Sequence, residues 1–101
     1  MNENMPPAIA LDQLCRAIAE PVRWSLIRVL CQGEALPVQE LARRVGRPPK
    51  IVSKHLAMLR ETGVIVNCYG RLYRMAPTLQ PKPGERLLDL GHCIMKLDTP
   101  L

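Results

Sequence analysis

The chain has 101 residues, of which 48% are hydrophobic and 23% are charged. This length fits one small domain, and the aliphatic content argues against intrinsic disorder. The sequence contains no uncharged apolar run near the roughly 18 residues that a membrane span needs, and its first seven residues predict no secretory signal. We therefore expect a cytoplasmic protein with no membrane partner.

Aromatic residues and cysteines exclude further classes of protein. The aromatic residues are Trp24, Tyr69 and Tyr73, too few for the stacking platform on which single-stranded nucleic acids are held. The four cysteines, at positions 15, 31, 68 and 93, are at least 16 residues apart and form no CxxC pair. That spacing argues against a disulfide framework and against a zinc finger. It is typical of small buried side chains in a reducing compartment.

The positive charge is concentrated in one part of the chain. The net charge is +5, yet residues 37–76 alone hold eight basic and two acidic residues, while the rest holds six basic and seven acidic ones. A 40-residue stretch with this excess is the footprint expected of a surface that binds a polyanion. The alternative is an ordinary solvated basic face.

Apolar residues at helical spacing predict two helices in the first third of the chain. The first covers residues 8–20, with an apolar stripe made of Leu11, Leu14, Cys15 and Ile18. Pro21 suits the first turn of the second helix, because its missing N–H has no partner there in any case. This second helix extends to about Gln32, where Gly33 ends it.

Two shorter helices and a hairpin follow. The pattern predicts a third helix that begins at Pro37 and ends at Gly46, and a fourth from Pro48 to about Glu61. Strands are predicted over residues 64–68 and 71–75, joined by a tight turn at Tyr69-Gly70. Residues 77–84 hold three prolines and predict an extended linker. A final helix over residues 85–98 is predicted from the 3, 4, 3 spacing of Leu87, Leu90, Ile94 and Leu97.

Two short helices joined at a glycine and followed by a β-hairpin form a winged helix-turn-helix, a mainly α fold. A helix enters the major groove when its outer side is small and polar or basic while its inner side is anchored. On the fourth helix Lys50, Ser53, Lys54 and Ala57 form such an outer side. Val52, Leu56 and Leu59 form the inner side. Double-stranded DNA is therefore the predicted partner.

Two segments resemble the ArsR/SmtB family of bacterial winged-helix repressors. Residues 17–30, AIAEPVRWSLIRVL, are similar to the opening signature of that family. Residues 52–65, VSKHLAMLRETGVI, are similar to its recognition helix and the exit into its wing. The resemblance implies a sequence-specific regulator that binds an imperfect inverted repeat, as a homodimer held together by its first and last helices.

The resemblance also implies roles for individual residues. The residues expected to contact DNA are Arg47, Pro49, Lys50, Ser53, Lys54, His55, Arg71 and Arg74. His55 is expected to pack at the helix flank or to touch the DNA backbone, and Arg71 and Arg74 belong to the wing. The residues expected at the dimer interface are Leu11, Leu14, Cys15, Ile18, Leu87, Leu90, Ile94 and Leu97.

The chain departs from the family pattern in its cap and in its metal ligands. Pro48 stands where the family has a capping Ser or Thr, so a cap bond worth roughly 1 kcal/mol is absent. The family metal site on the third helix needs two cysteines, and residues 34–41 contain none. The site on the last helix needs two carboxylate and His pairs, but only Asp89 and His92 are present. No metal or cofactor is therefore predicted. The sequence also has no Gly-rich phosphate loop and no GxSxG motif, so no enzymatic activity is predicted.

The sequence thus predicts four segments: a flexible tail (1–7), a winged helix-turn-helix DNA-binding domain (8–76), a linker (77–84) and a C-terminal dimerisation helix and tail (85–101). Two alternatives stay open at this point. One is a thiol-responsive sensor of the same family that uses Cys15 and Cys93, which lie on the two helices predicted at the interface. The other is a winged helix that binds another protein.

Overall fold

The computed structural model describes residues 9–100, so the predicted tail (1–7) lies outside the described residues. The elements are α1 (Leu11–Ile18), α2 (Pro21–Leu30), α3 (Val38–Val45), α4 (Pro49–Thr62), β1 (Ile65–Cys68), β2 (Leu72–Met75), β3 (Leu87–Asp89) and β4 (Ile94–Lys96). The four helices and the first hairpin confirm the predicted winged helix-turn-helix. In the described part of the chain, no helix is long and apolar enough to cross a membrane.

Helix ends follow from local chemistry. Glu20 caps α2, because its Oε1 accepts hydrogen bonds from the backbone N–H groups of Val22 at 2.6 Å and Arg23 at 3.0 Å. Gly46 and Gly63 end α3 and α4 with φ values of 71° and 91°, in the left-handed region that glycine adopts at little cost. The predicted stops at these two glycines are confirmed.

The helices enclose one apolar core. Helix α2 lies at its centre and buries Trp24, Leu26, Ile27 and Leu30, as its wide apolar surface predicts. Leu41 of α3 and Val52, Leu56 and Leu59 of α4 are also fully buried. No polar or charged side chain is buried among residues 9–100. The relative positions of the helices are therefore set by aliphatic packing.

The wing is a two-stranded hairpin to which Leu36 adds one isolated β-bridge. Strands β1 and β2 pair antiparallel, from Ile65 opposite Met75 to Cys68 opposite Leu72. Leu36 extends the sheet, because its N–H donates to the carbonyl of Tyr73 at 2.9 Å and its own carbonyl accepts from the Tyr73 N–H at 2.8 Å. Periodicity does not predict this pairing, since only one residue of the α2–α3 connection takes part.

The predicted final helix over residues 85–98 is wrong. This segment forms a second antiparallel hairpin, in which β3 pairs with β4 and Leu88 lies opposite Met95. Gly91 has a φ of 89°, which no α-helix contains, and its N–H donates to the Asp89 side chain at 2.9 Å to close the turn. The burial alternates along the strand, with Leu88 and Leu90 buried and Leu87 and Asp89 exposed. A period of two replaces the expected helical period.

This C-terminal hairpin belongs to the core of a single chain. The His92 Nε2–H donates to the carbonyl of Ile9 at 3.0 Å, and Arg28 Nη1 donates to the carbonyl of Thr99 at 2.9 Å. The predicted linker is irregular and is held against α2, since Gln80 Nε2 donates to the Cys31 carbonyl at 3.0 Å. Residues 85–98 therefore do not form a helix that docks apart from the domain.

We expect Leu88→Ala to lower the free energy of unfolding by roughly 2–5 kcal/mol, because it leaves a cavity at a fully buried position. Leu87→Ala is the matched control, as Leu87 is the neighbouring leucine and is 45% exposed. Urea unfolding followed by circular dichroism measures both. Equal losses in the two variants would contradict the hairpin register.

Candidate nucleic-acid interface

Helix α4 has one anchored side and one free side. Val52, Leu56 and Leu59 have no exposed surface, so their packing fixes how the helix is turned about its axis. The 4, 3, 4 spacing of Lys50, Lys54, Ala57 and Glu61 puts these residues on the opposite side. Their positions along α4 are exposed, except for the half-buried Ala57. Two of the predicted contact residues thus share one outward face, and Ser53 is exposed on its flank.

The N-terminal end of α4 is strongly positive. The α3–α4 turn closes when the N–H groups of Gly46 and Arg47 both donate to the carbonyl of Ala42, at 2.9 and 3.2 Å. Pro48 occupies the N-cap without a side-chain acceptor, as predicted, and the first turn contains no acidic residue. Lys50 in that turn opposes the helix dipole and costs helix stability. A cation at this place is explained if the helix end meets an anion.

Glutamates neutralise two of the arginines in the basic stretch. Glu40 accepts hydrogen bonds from Arg43 Nε at 3.0 Å and from Arg44 Nε at 2.8 Å, and Arg44 also pairs with Glu34. The hydrogen bonds from Arg43 and Arg44 lower the pKa of Glu40 to about 2. None of the ion pairs among residues 9–100 includes Arg47, Lys50 or Lys54. The available positive charge therefore lies at the start of α4 rather than along α3.

The wing is fixed to the far end of the same helix. Arg60 Nη1 donates to Asn67 Oδ1 at 3.0 Å, which connects the last turn of α4 to β1. The connection between β1 and β2 is a three-residue loop in which Tyr69 has a φ of 50° and is 93% exposed. Arg71 is exposed in this loop, whereas Arg74 is half-buried on β2. Neither Arg60 nor Asn67 was predicted to form this link.

His55 lies at a junction of three helices. Its Nδ1 is 3.2 Å from Nη1 of Arg23, whose other guanidinium nitrogens donate to the carbonyls of Ala17 at 2.7 Å and Arg16 at 2.9 Å. Partial burial raises the pKa of Glu20 beside this junction. The backbone N–H groups of Arg23 and Val22 and the nearby Arg23 charge outweigh that effect, so the pKa is lowered. The carboxylate directly before Pro21 is the sequence signal that could have identified the cap of α2.

The predicted interface residues fall into two groups. Leu14 and Leu90 lie in the core of their own chain and offer no surface to a partner. Leu11, Cys15, Leu87 and Ile94 are exposed, and Ile18 and Leu97 are half-buried. Ile18 and Ile94 line one groove of about 470 Å³ between the α1–α2 junction and β4. Parts of α1 and of the C-terminal hairpin thus lie beside one groove of the same chain, and the dimer interface stays a prediction.

The cysteines are dispersed. Cys15 is exposed, Cys93 is half-buried, and burial raises the pKa of the Cys31 thiol to about 12. A thiol of this kind stays protonated at neutral pH and is a poor metal ligand or nucleophile. Among residues 9–100, no three His, Cys, Asp or Glu side chains lie close enough together to hold a metal ion.

Comparison with known proteins supports the geometry. Residues 18–73 match the family model HVO_A0114. The chain is 41% identical over 91 residues to the HTH-type transcriptional regulator CmtR of Mycobacterium bovis and of Mycobacterium tuberculosis, covering 89% of this chain and 75% of each relative.

Solved structures agree with this result. The NMR structure of the cadmium metal-sensor CMTR from M. tuberculosis is 38% identical, with a TM-score of 0.58 over 67% of this chain and 73% of that one. HlyU from Vibrio cholerae N16961 is 27% identical, with a TM-score of 0.59 over 66% of this chain and 75% of its own. The transcriptional repressor BigR from Xylella fastidiosa is also 27% identical, with a TM-score of 0.57 over 67% and 71%.

These relatives are transcriptional regulators with a DNA-binding winged helix, a class of proteins without enzymatic activity. The four helices and the wing match that architecture. The chain belongs to the ArsR/SmtB family of winged helix-turn-helix transcriptional regulators.

Proposed function

We propose that this chain is a cytoplasmic repressor that binds an inverted repeat in double-stranded DNA as a homodimer. One observation carries the proposal: three fully buried residues anchor α4, while unpaired lysines occupy its opposite, exposed side. The similarity to BigR, which is described as a transcriptional repressor, supports repression rather than activation. A dimer seated on a promoter would block transcription by occlusion.

The chemistry of each side chain suggests its contact. Lys50 and Lys54 can donate to the O6 and N7 atoms of guanine in the major groove, and Ser53 can donate or accept there. Arg47 at the start of α4 and Arg71 in the wing loop are placed at exposed positions suited to phosphate. Arg74 is half-buried, so only the end of its side chain is placed to contact the DNA backbone.

Selection from a random duplex library tests the proposed function. We expect wild-type protein to enrich an inverted repeat whose half-sites are centred 10–11 base pairs apart, because two recognition helices of a symmetric dimer lie about 34 Å apart. The Lys50→Ala/Lys54→Ala double variant is the control and should enrich no shared sequence. Failure of the wild-type protein to enrich any sequence would contradict site-specific DNA binding.

The effect of removing each lysine depends on whether it contacts a base or a phosphate. We expect Lys50→Ala and Lys54→Ala to weaken binding to the selected duplex by about 1–3 kcal/mol where a base contact is lost. Loss of a phosphate contact should instead reduce affinity for all sequences and lower the salt slope by about one unit. Lys82→Ala removes an exposed lysine from the linker and should leave affinity unchanged. Unchanged binding in both α4 variants would refute this assignment.

The proposed partner surface is the exposed apolar area shared by α1 and the C-terminal hairpin. Leu11, Leu87 and Ile94 are the large exposed hydrophobic side chains outside α4 and the wing, in the part of the chain that the structure describes. Together with the groove that Ile18 and Ile94 line, they form one candidate face for a second copy. Burial of such a face would stabilise a domain of only 101 residues.

We expect Ile94→Glu to convert the dimer to a monomer, because Ile94 is 61% exposed on this face and a buried unpaired charge is costly. Ile51→Glu is the control, since Ile51 is 46% exposed on α4. Sedimentation velocity measures both. A dimeric Ile94→Glu variant would mean that the interface lies elsewhere.

Metal sensing is not part of the proposal, although the M. tuberculosis structure is described as a cadmium sensor. The described residues do not fit a metal, because they form no group of three ligands and the Cys31 thiol is held protonated. We expect native mass spectrometry of protein incubated with cadmium or zinc to find no stoichiometric metal. One tightly held ion per protomer would contradict this. The thiol-responsive alternative through Cys15 and Cys93 stays a prediction.

A further inference from the structure

We propose that Arg23 is a positioning residue for DNA recognition, which adds a directional restraint on α4, through its contact with His55, to the apolar packing of Val52, Leu56 and Leu59. This inference rests on the proposed function, since it concerns how the same DNA-binding face is held. The observation behind it is that one guanidinium bonds to the last turn of α1 and to the middle of α4 while its own backbone begins α2.

The backbone of Arg23 is itself held in place. Its N–H donates to the capping carboxylate of Glu20 at 3.0 Å, so Arg23 starts from the fixed first turn of α2. Its side chain then extends back to the carbonyls of Arg16 and Ala17. These carbonyls belong to the C-terminal turn of α1, where backbone acceptors lack helical partners and the helix dipole favours a cation. The position of the guanidinium is therefore fixed by these two carbonyls independently of its contact with His55.

The third contact requires a particular form of His55. A guanidinium has only donors, so the Nδ1 of His55, at 3.2 Å from Nη1, must be the acceptor and its proton must lie on Nε2. This tautomer is inferred from the partner. Five donors in a rigid plane allow arginine to serve three acceptors at once, which a lysine cannot do in the same geometry.

The contact adds a directional restraint to an apolar anchor. Aliphatic packing of Leu56 and its neighbours resists displacement of α4 but has no angular preference as sharp as that of a hydrogen bond. His55 lies beside Leu56 on one side and the outward Lys54 on the other. Side chains end about 5–6 Å from a helix axis, so a rotation of about 10° moves them by about 1 Å. That shift is enough to lengthen a base contact beyond hydrogen-bonding distance.

Two isosteric substitutions at His55 separate positioning from other roles. In His55→Asn the amide oxygen is attached to Cγ, where it can replace Nδ1 as the acceptor for Arg23. In His55→Gln the amide is one bond further out and resembles Nε2 instead. Affinity is measured by fluorescence anisotropy on the duplex selected by the wild-type protein, at a temperature where thermal unfolding shows both variants fully folded.

We expect His55→Asn to bind within about twofold of wild type and His55→Gln to bind roughly tenfold more weakly, the size of one lost charge-assisted hydrogen bond. In an Arg23→Lys background the two variants should bind alike, because lysine cannot reach the two α1 carbonyls and residue 55 at once. Lys50→Ala in the His55→Asn protein should still lose affinity, which shows that the DNA-binding face is intact.

Equal affinity of His55→Asn and His55→Gln in the wild-type background would overturn the inference, whether both bind tightly or both bind weakly. Equally tight binding would make the junction purely structural, and equally weak binding would indicate a direct contact of His55 with DNA. A difference that persists in the Arg23→Lys background would also overturn it. Failure of the wild-type protein to select any duplex is a separate result that contradicts the proposed function instead.

Discussion

The burial of one side of α4 is the constraint on which the rest of the structure depends. With Val52, Leu56 and Leu59 fully enclosed, the helix has one stable orientation, and the side carrying Lys50 and Lys54 has to face solvent. Exposed lysines on a helix are common, and their presence alone decides nothing. They become a candidate DNA-binding surface because α4 follows α3 through the Gly46 turn and is joined to the wing by the Arg60–Asn67 hydrogen bond.

Charge pairing sharpens this surface. Residues 37–76 contain eight basic side chains, but two of them, Arg43 and Arg44 on α3, form ion pairs with Glu40 and Glu34. These exposed pairs add little stability, since solvent screens them. Their effect is on the distribution of charge, because they leave Arg47, Lys50 and Lys54 as the cations around the start of α4. The positive end of the helix dipole lies at the same place, and both favour approach of a phosphate backbone.

The helices and the wing could be predicted from the sequence because their signals are local. Apolar residues at helical spacing, prolines at first turns and glycines at ends placed α2, α3 and α4 within about two residues of the observed bounds. The C-terminal segment could not be predicted this way. The spacing of Leu87, Leu90, Ile94 and Leu97 fits a helix, but Gly91 and the Asp89 turn favour a hairpin that puts Leu88 in the core.

The same distinction applies to the site. The outward lysines follow from the pattern of α4 alone, whereas the Arg23–His55 contact joins residues 32 positions apart and leaves no periodic signal. The pairing of Leu36 with Tyr73 is equally non-local. Leu14 and Leu90, predicted at a dimer interface, instead fill the core of their own chain. An apolar stripe indicates that its side chains are buried, but it does not indicate whether the same chain or a second copy buries them.

Dimethyl sulfate footprinting on the selected duplex tests the central claim most directly, because the reagent methylates guanine N7 in the major groove and adenine N3 in the minor groove. If α4 reads the major groove through Lys50 and Lys54, wild-type protein should protect guanine N7 atoms in two patches about one helical turn apart, and Lys50→Ala should lose part of that protection. Protection confined to adenine N3, with guanine N7 fully reactive, would contradict the assignment of α4 as the recognition helix.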